Sequence, residues 1–186
     1  MNDDLSFSPF RTFFATGYSF DDRKGIQHKV RTEYLIDEKY SFGVGISIFD
    51  DEFRYKNQAV ESINYDIYSG NSNCPAMQHF YSLHLLASYY LVAPNKKFTL
   101  GVTAGNMFVC HKYPRLNISS NSNEEQKISS SQERTKIKLG LDFQVLAQFR
   151  WGHRVGLFTG WNTFYIAPEL NSVVMAGVSV RFGPPE

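Results

Sequence analysis

No run of 18 apolar residues occurs anywhere in the 186-residue chain, which excludes a transmembrane helix. Charge of either sign is not in excess: 19 Lys and Arg stand against 18 Asp and Glu, and the basic residues are scattered rather than gathered in a stripe. That distribution argues against a nucleic-acid partner. Cysteine is scarce. Cys74 and Cys110 are the only two and have neither CxxC spacing nor metal-ligand neighbours, so a disulfide between them and a pair of free thiols both stay open. The opening residues, "MNDDLSFSPF", have no basic n-region and no apolar h-region. The expectation is a signal peptide already removed, with Met1 in its place.

Catalytic signatures are missing too. None of His28, His79, His84, His111 and His153 stands in a short motif with a serine and an acid, the arrangement a hydrolase needs to activate its nucleophile. Ser82 lies two residues before His84, a spacing common by chance. His79 and His111 fall near expected strand ends without the spacing of a metal-ligand pair. The expectation is no enzyme, no metal site and no cofactor.

What the chain does have is 16 Phe and 11 Tyr, residues that favour strands and membrane interfaces. It also alternates. In "IKLGLDFQVLAQF", residues 137–149, every odd position is apolar, while the even positions carry Lys138, Gly140, Asp142, Gln144 and Gln148. A period of two over that length marks a β-strand with one apolar and one polar face. The same alternation recurs in eight segments: 11–20, 26–36, 40–49, 80–92, 98–109, 135–151, 154–166 and 172–182. Most reach the roughly 9 to 11 residues that a tilted strand needs to cross a bilayer.

Connections alternate as well. Residues 37–39, 93–97 and 152–153 are tight turns, whereas 21–25, about 50–79, about 110–134 and 167–170 form the other set, which includes both long loops. In an up-and-down barrel every second connection lies at the same end, so one end carries short turns and the other the long loops. The chain reads as a single domain over residues 1–186.

Two faces follow from the alternation. One collects Phe14, Val30, Tyr34, Val44, Ile46, Ile48, Leu83, Leu85, Val102, Leu157, Trp161, Val174 and the odd positions 137–149. The other collects Arg11, Lys29, Arg31, Glu33, Gly43, Gly45, Ser47, His84, Thr103, Lys138, Asp142, Gln144, Gln148, Asn162, Ser179 and Arg181. A soluble lipid-binding barrel would turn the first face inward. The third and eighth segments argue against that, because their alternate positions are Ser and Gly, too small and uncharged for a solvent face but suited to a narrow lumen. Outside, the aliphatic belt would exceed what a soluble monomer exposes; in lipid it is natural. Aromatics at the ends of the outward face, Tyr34, Tyr40, Phe149 and Trp151 at one and Tyr18, Tyr81, Phe108 and Tyr165 at the other, fit two interfacial girdles.

This pattern, closing on "VVMAGVSVRF" at residues 173–182, resembles the small eight-stranded outer-membrane barrels of Gram-negative bacteria, the OmpA/OmpX type. The resemblance implies an all-β, eight-stranded antiparallel up-and-down transmembrane β-barrel in the bacterial outer membrane. Its partners would be outer-membrane lipid and lipopolysaccharide, and during biogenesis the barrel-assembly machinery, for which Val178, Val180 and Phe182 look like the carboxy-terminal signal. In that family the aromatic usually comes last; here Gly183 to Glu186 follow.

A barrel of eight strands is just wide enough for its own side chains. Lys29, Arg31, Glu33, His84, Lys138, Asp142, Gln144 and Gln148 are expected to form a polar network filling it, with Asp142 paired to Arg31 or Lys29. Function then falls to the outer loops, in surface interaction with a protein partner or in envelope stabilisation. Residues 50–79 contain "SINYDIYSG", whose alternation suits a protruding hairpin open to strand addition; the polar stretch "NISSNSNEEQKISSSQE" is expected to be a mobile loop. Two alternatives remain: an accessory barrel docked to a larger outer-membrane complex, for which Thr12, Thr16, Thr32, Asn106, Thr159 and Thr163 interrupt the belt, and a narrow channel leaning towards anions.

Overall fold

The computed structural model describes residues 9–20, 24–52, 54–55, 58–59, 77–120, 126–152 and 154–182. Among them are ten strands: β1 (Phe10–Ser19), β2 (Gly25–Leu35), β3 (Tyr40–Glu52), β4 (Arg54–Tyr55), β5 (Gln58–Ala59), β6 (Met77–Val92), β7 (Phe98–Ser120), β8 (Gln126–Trp151), β9 (Val155–Ile166) and β10 (Glu169–Phe182). Eight of them close into an antiparallel barrel of order β1-β10-β9-β8-β7-β6-β3-β2, while β4 and β5 form a separate two-stranded ribbon. Each barrel strand lies beside its neighbour in the chain, and the β1–β10 ladder, from Phe10↔Phe182 to Ser19↔Val173, seals the sheet. Closure leaves no sheet edge within the barrel wall, the condition for a sheet to stand in hydrocarbon.

Short turns gather at one end. Asp37 organises the first, its Oδ1 accepting from the backbone N–H groups of Lys39 at 2.6 Å and Tyr40 at 2.8 Å. Gly152 sits in the turn after β8 with φ of 77°, a left-handed conformation that glycine adopts without a Cβ penalty.

The faces fall as the alternation requires. Phe14, Tyr34, Val44, Ile46, Leu83, Leu85, Leu139, Phe149 and Trp151 point out and are exposed, whereas Arg11, Lys29, Arg31, Glu33, Asp142, Gln144 and Gln148 point in and are buried. Aromatic pairs lie outside near the turn end, Phe10 with Tyr34 at 5.1 Å and Tyr40 with Tyr89 at 5.2 Å, and Tyr18 with Phe20 at 5.3 Å lies at the other end.

The interior differs from the expected all-polar lumen. Phe13, Phe49, Phe80, Met107, Val109, Phe158, Phe164, Val173 and Met175 are buried inside the barrel as one apolar cluster. Phe49 packs on Phe164 at 5.1 Å and on Phe80 at 5.9 Å, forming a ring layer nearer the loop end than Lys29 and Glu33. A closed lumen excludes water, and rings fill its volume without needing hydrogen-bond partners.

The second departure is at residues 110–134. Its described residues, 110–120 and 126–134, are paired: β7 and β8 run on in register, from Cys110↔Ile137 to Ser120↔Gln126, with one irregularity between Asn117 and Ile118. Ladder hydrogen bonds come from the backbone, so a Ser- and Asn-rich composition does not prevent them. In the other long connection β3 runs on to Glu52, β6 begins at Met77 and the β4–β5 ribbon lies between them; "SINYDIYSG" lies outside the described residues.

Candidate functional site

Inside the barrel the charged side chains meet across the lumen in layers. Nearest the turn end, Glu33 of β2 accepts from Arg11 Nε at 2.8 Å, from Tyr90 OH at 2.6 and 2.7 Å, and from Ser41 Oγ at 3.1 Å. Arg11 also donates through Nη1 to Gln148 Oε1 at 2.8 Å, and Gln148 in turn donates to Ser179. One step further in, Arg31 donates to Thr103 Oγ1 at 2.9 Å and Gln144 Oε1 at 3.0 Å, and lies 3.8 Å from Glu33. Glycines opposite make room: a Cβ at Gly45 would stand 3.1 Å from that of Arg31, and one at Gly43 3.1 Å from that of Glu33. This is why the third segment reads Ser and Gly on its inner face.

The next layer holds Lys29, 2.5 Å from Asp142 Oδ2 and 3.3 Å from Asn162 Oδ1. Of the two partners expected for Asp142, Lys29 is the one found; Arg31 turns to Gln144, Thr103 and Glu33 instead. Lys138 shares the inward face but is half-buried near the loop end, opposite Val109, and no hydrogen bond or ion pair joins it to the other seven residues.

In the same layer His84 Nε2 lies 2.8 Å from Ser47 Oγ, and His84 Nδ1 lies 2.8 Å from Asp142 Oδ2. A serine, a histidine and an aspartate in that order are the parts of an acyl-transfer triad. Three features fit a structural role better. Lys29 already holds the same Asp142 oxygen, His84 Nδ1 approaches it without the alignment of a hydrogen bond, and Ser47 is buried beneath the Phe49, Phe80 and Phe164 layer. The spacing visible in the sequence, Ser82 to His84, missed Ser47 because cross-strand register, not chain proximity, brings it to His84.

At the loop end, His79 Nδ1 lies 2.7 Å from Asp50 Oδ1, and His111 Nε2 lies 2.9 Å from Gln78 Oε1 while stacking on Phe80 at 4.1 Å. No group of three metal-ligating side chains occurs among the described residues. Cys110 faces outward between Tyr81 and Ile137, and its pairing with Cys74 lies outside the described residues. Val178, Val180 and Phe182 share the outward face of β10. Hydroxyls that interrupt the belt are partnered locally: Thr12 with Thr32 at 2.9 Å, Thr16 with His28 at 3.1 Å, and Thr159 with the Met175 carbonyl at 3.1 Å. Asn106 opens onto an outward furrow of about 1010 Å³ with Ala87 and Ala104 in its floor.

The second feature is the arm made by the ends of β7 and β8. Pairing of β6 with β7 stops at His79↔Lys112, and pairing of β9 with β8 starts at Gly140↔Ile166. Beyond those points no described strand pairs with either outer edge of the hairpin. At its base Lys112 lies 3.5 Å from Glu133 and 5.7 Å from the Tyr81 ring, and Lys136 lies 5.4 Å from the Tyr113 ring. Ile137 is 84% exposed.

No family model matches the sequence, and no curated protein matches it. Solved structures do match in shape. A major outer membrane protein from Thermus thermophilus aligns with a TM-score of 0.60 at 13% identity, over 93% of this chain and 99% of that one. The N-terminal β-barrel domain of Pseudomonas aeruginosa OprF aligns at 0.58 and 10%, over 93% and 96%. Ail, the attachment invasion locus protein of Yersinia pestis, aligns at 0.54 and 12%, over 94% and 97%. The fold is that of the small outer-membrane barrels. At these identities the likeness is one of architecture alone, and the closed eight-stranded barrel of this chain agrees with it.

Proposed function

We propose that this protein is a non-enzymatic barrel of the bacterial outer membrane that acts through its β7–β8 arm, adding a strand of a surface partner to the arm's open edge. The observation that carries the reading is the length of β7 and β8, 23 and 26 residues, against 10 to 12 for β1, β2 and β9. A bilayer needs only about ten residues per strand, so the excess stands beyond the membrane. From Tyr113 to Ser120 the arm extends by roughly 25 Å at about 3.3 Å per residue. An unpaired strand edge is a template for another strand, with backbone groups supplying affinity and alternate side chains supplying selectivity. Ail, which shares the architecture, was solved with the heparin analogue sucrose octasulfate.

The test is amide hydrogen exchange of residues 126–139, measured on the full chain in isolated native membranes and again after purification in detergent. Strand addition makes exchange slower in the membranes. Equal rates in both would contradict it.

A second reading, an accessory barrel docked to a larger complex, is favoured by the Asn106 furrow in the lipid-facing surface. Mild-detergent extraction followed by native mass measurement separates the two. A freestanding barrel runs near its 21.3 kDa plus micelle, and a docked subunit runs in a far larger particle.

A further inference from the structure

The turn end of the lumen carries positive charge that nothing described there neutralises. Arg11, Arg31, Arg150 and Arg181 are all buried in that half of the barrel, and among the described residues Glu33 is the one buried carboxylate beside them. Glu33 is engaged by Arg11 and Arg31. Arg150 and Arg181 have no carboxylate partner among the described residues. Each reaches a neutral acceptor instead: Arg150 Nη1 donates to the Asn95 carbonyl at 2.7 Å, and Arg181 Nη2 donates to the carbonyl of Pro94. Those carbonyls belong to consecutive residues of the β6–β7 turn, so one short segment draws the two guanidinium groups together over the mouth. Arg181 also lies directly across from Arg11 in the β1–β10 ladder.

Donors are left over. Arg150 Nε, Arg181 Nε and Arg181 Nη1 are buried without a hydrogen-bond partner, although both side chains are about nineteen-twentieths buried, at 5% and 4% exposure. A buried cation normally has a counter-charge, and a guanidinium N–H taken from water normally has an acceptor. Both requirements are met by one kind of ligand.

We propose that this mouth binds an oxyanion of the phosphate class, held by the forked donors of Arg150 and Arg181. A tetrahedral oxyanion accepts several N–H groups at once and supplies the missing negative charge, which a peptide carbonyl does not. Exposed Lys96 and Lys97 on the β6–β7 turn draw anions towards it. Two sources offer this chemistry at the turn end: free phosphate in the aqueous space, and the headgroup of an anionic phospholipid in the adjoining leaflet.

The test uses the full chain folded in dodecyl maltoside. Sodium phosphate is titrated calorimetrically against sodium chloride at matched ionic strength, and in a second arm the micelles are doped with phosphatidylglycerol or with uncharged diacylglycerol. Saturable binding of phosphate over chloride assigns a free anion; an effect of phosphatidylglycerol alone assigns the headgroup. Arg181→Gln and Arg150→Gln each weaken the bound form at least tenfold, while Arg154→Gln, an exposed neighbour, changes it less than twofold. If Arg181→Gln does not fold, Arg150→Gln and the wild-type titrations still decide. The proposal is overturned if neither phosphate nor phosphatidylglycerol binds, or if Arg154→Gln weakens binding as much as the buried arginines do.

Discussion

Lys29 Nζ lies 2.5 Å from Asp142 Oδ2, and the two residues stand on strands four places apart in an eight-strand ring, β2 and β8. The pair therefore spans the full width of the barrel, pinning opposite walls at a level where both side chains are buried. Neither residue tolerates the loss of the other in that setting.

Replacing Lys29 by Met leaves Asp142 with His84 and no cation, and is expected to cost about 3–5 kcal/mol. The double replacement Lys29→Met with Asp142→Leu removes both charges and is expected to regain most of that loss. Equilibrium urea unfolding of the protein in lipid vesicles, followed by tryptophan emission, measures both. Additive losses in the double variant would show that the pair is not coupled.

Tyr90→Phe removes the hydroxyl that donates to Glu33, and so takes away one charge-assisted hydrogen bond of about 1.5–3 kcal/mol. Glu33→Gln is expected to cost more than Tyr90→Phe, since it also strips the counter-charge from Arg11 and Arg31. The same unfolding assay ranks them, and an equal or reversed ranking speaks against Glu33 as the hub.

Gly177 faces Ala15 across the seam that closes the barrel, and a Cβ there would collide with the Phe14 carbonyl. Backbone cannot yield as a flexible side chain can. Gly177→Val is expected to destabilise by about 3 kcal/mol or to block closure outright. The heat-dependent shift of a folded barrel on gel electrophoresis reports closure, and an unchanged folded fraction would contradict the close approach.

Much of this architecture was readable from period two alone. Parity told the faces apart at Lys29, Arg31, Glu33, Asp142, Gln144 and Gln148, because polar side chains at every second position have one shared side to go to. Parity says nothing about depth. Phe49, Phe80 and Phe164 lie on the inner parity of their strands, yet an apolar residue in a membrane barrel suits lipid and lumen equally, so the inner ring layer was not legible. The contact of Ser47 with His84 depends on the β3–β6 register, which alternation leaves free. The pairing of the arm is hidden from composition for a related reason: composition reports side chains, whereas its ladder is made by the backbone.

Phe182 closes the outward face of β10 and pairs with Phe10. We propose that Phe182 belongs to an assembly signal, so that Phe182→Ala lowers the folded amount in cells several-fold while leaving refolding into detergent near wild type. Equal losses in both settings would make Phe182 a packing residue and not a signal.

An outward apolar belt of this kind is expected to meet acyl chains. The chain has two tryptophans, and both point outward: Trp151 near the turn end and Trp161 in the loop-end half. The direct test is quenching of Trp151 and Trp161 emission, one at a time in Trp161→Phe and Trp151→Phe variants, by lipids brominated along their acyl chains. Strong quenching of both is expected from a lipid-facing belt. Emission indifferent to the brominated lipids would mean that the belt does not face the bilayer.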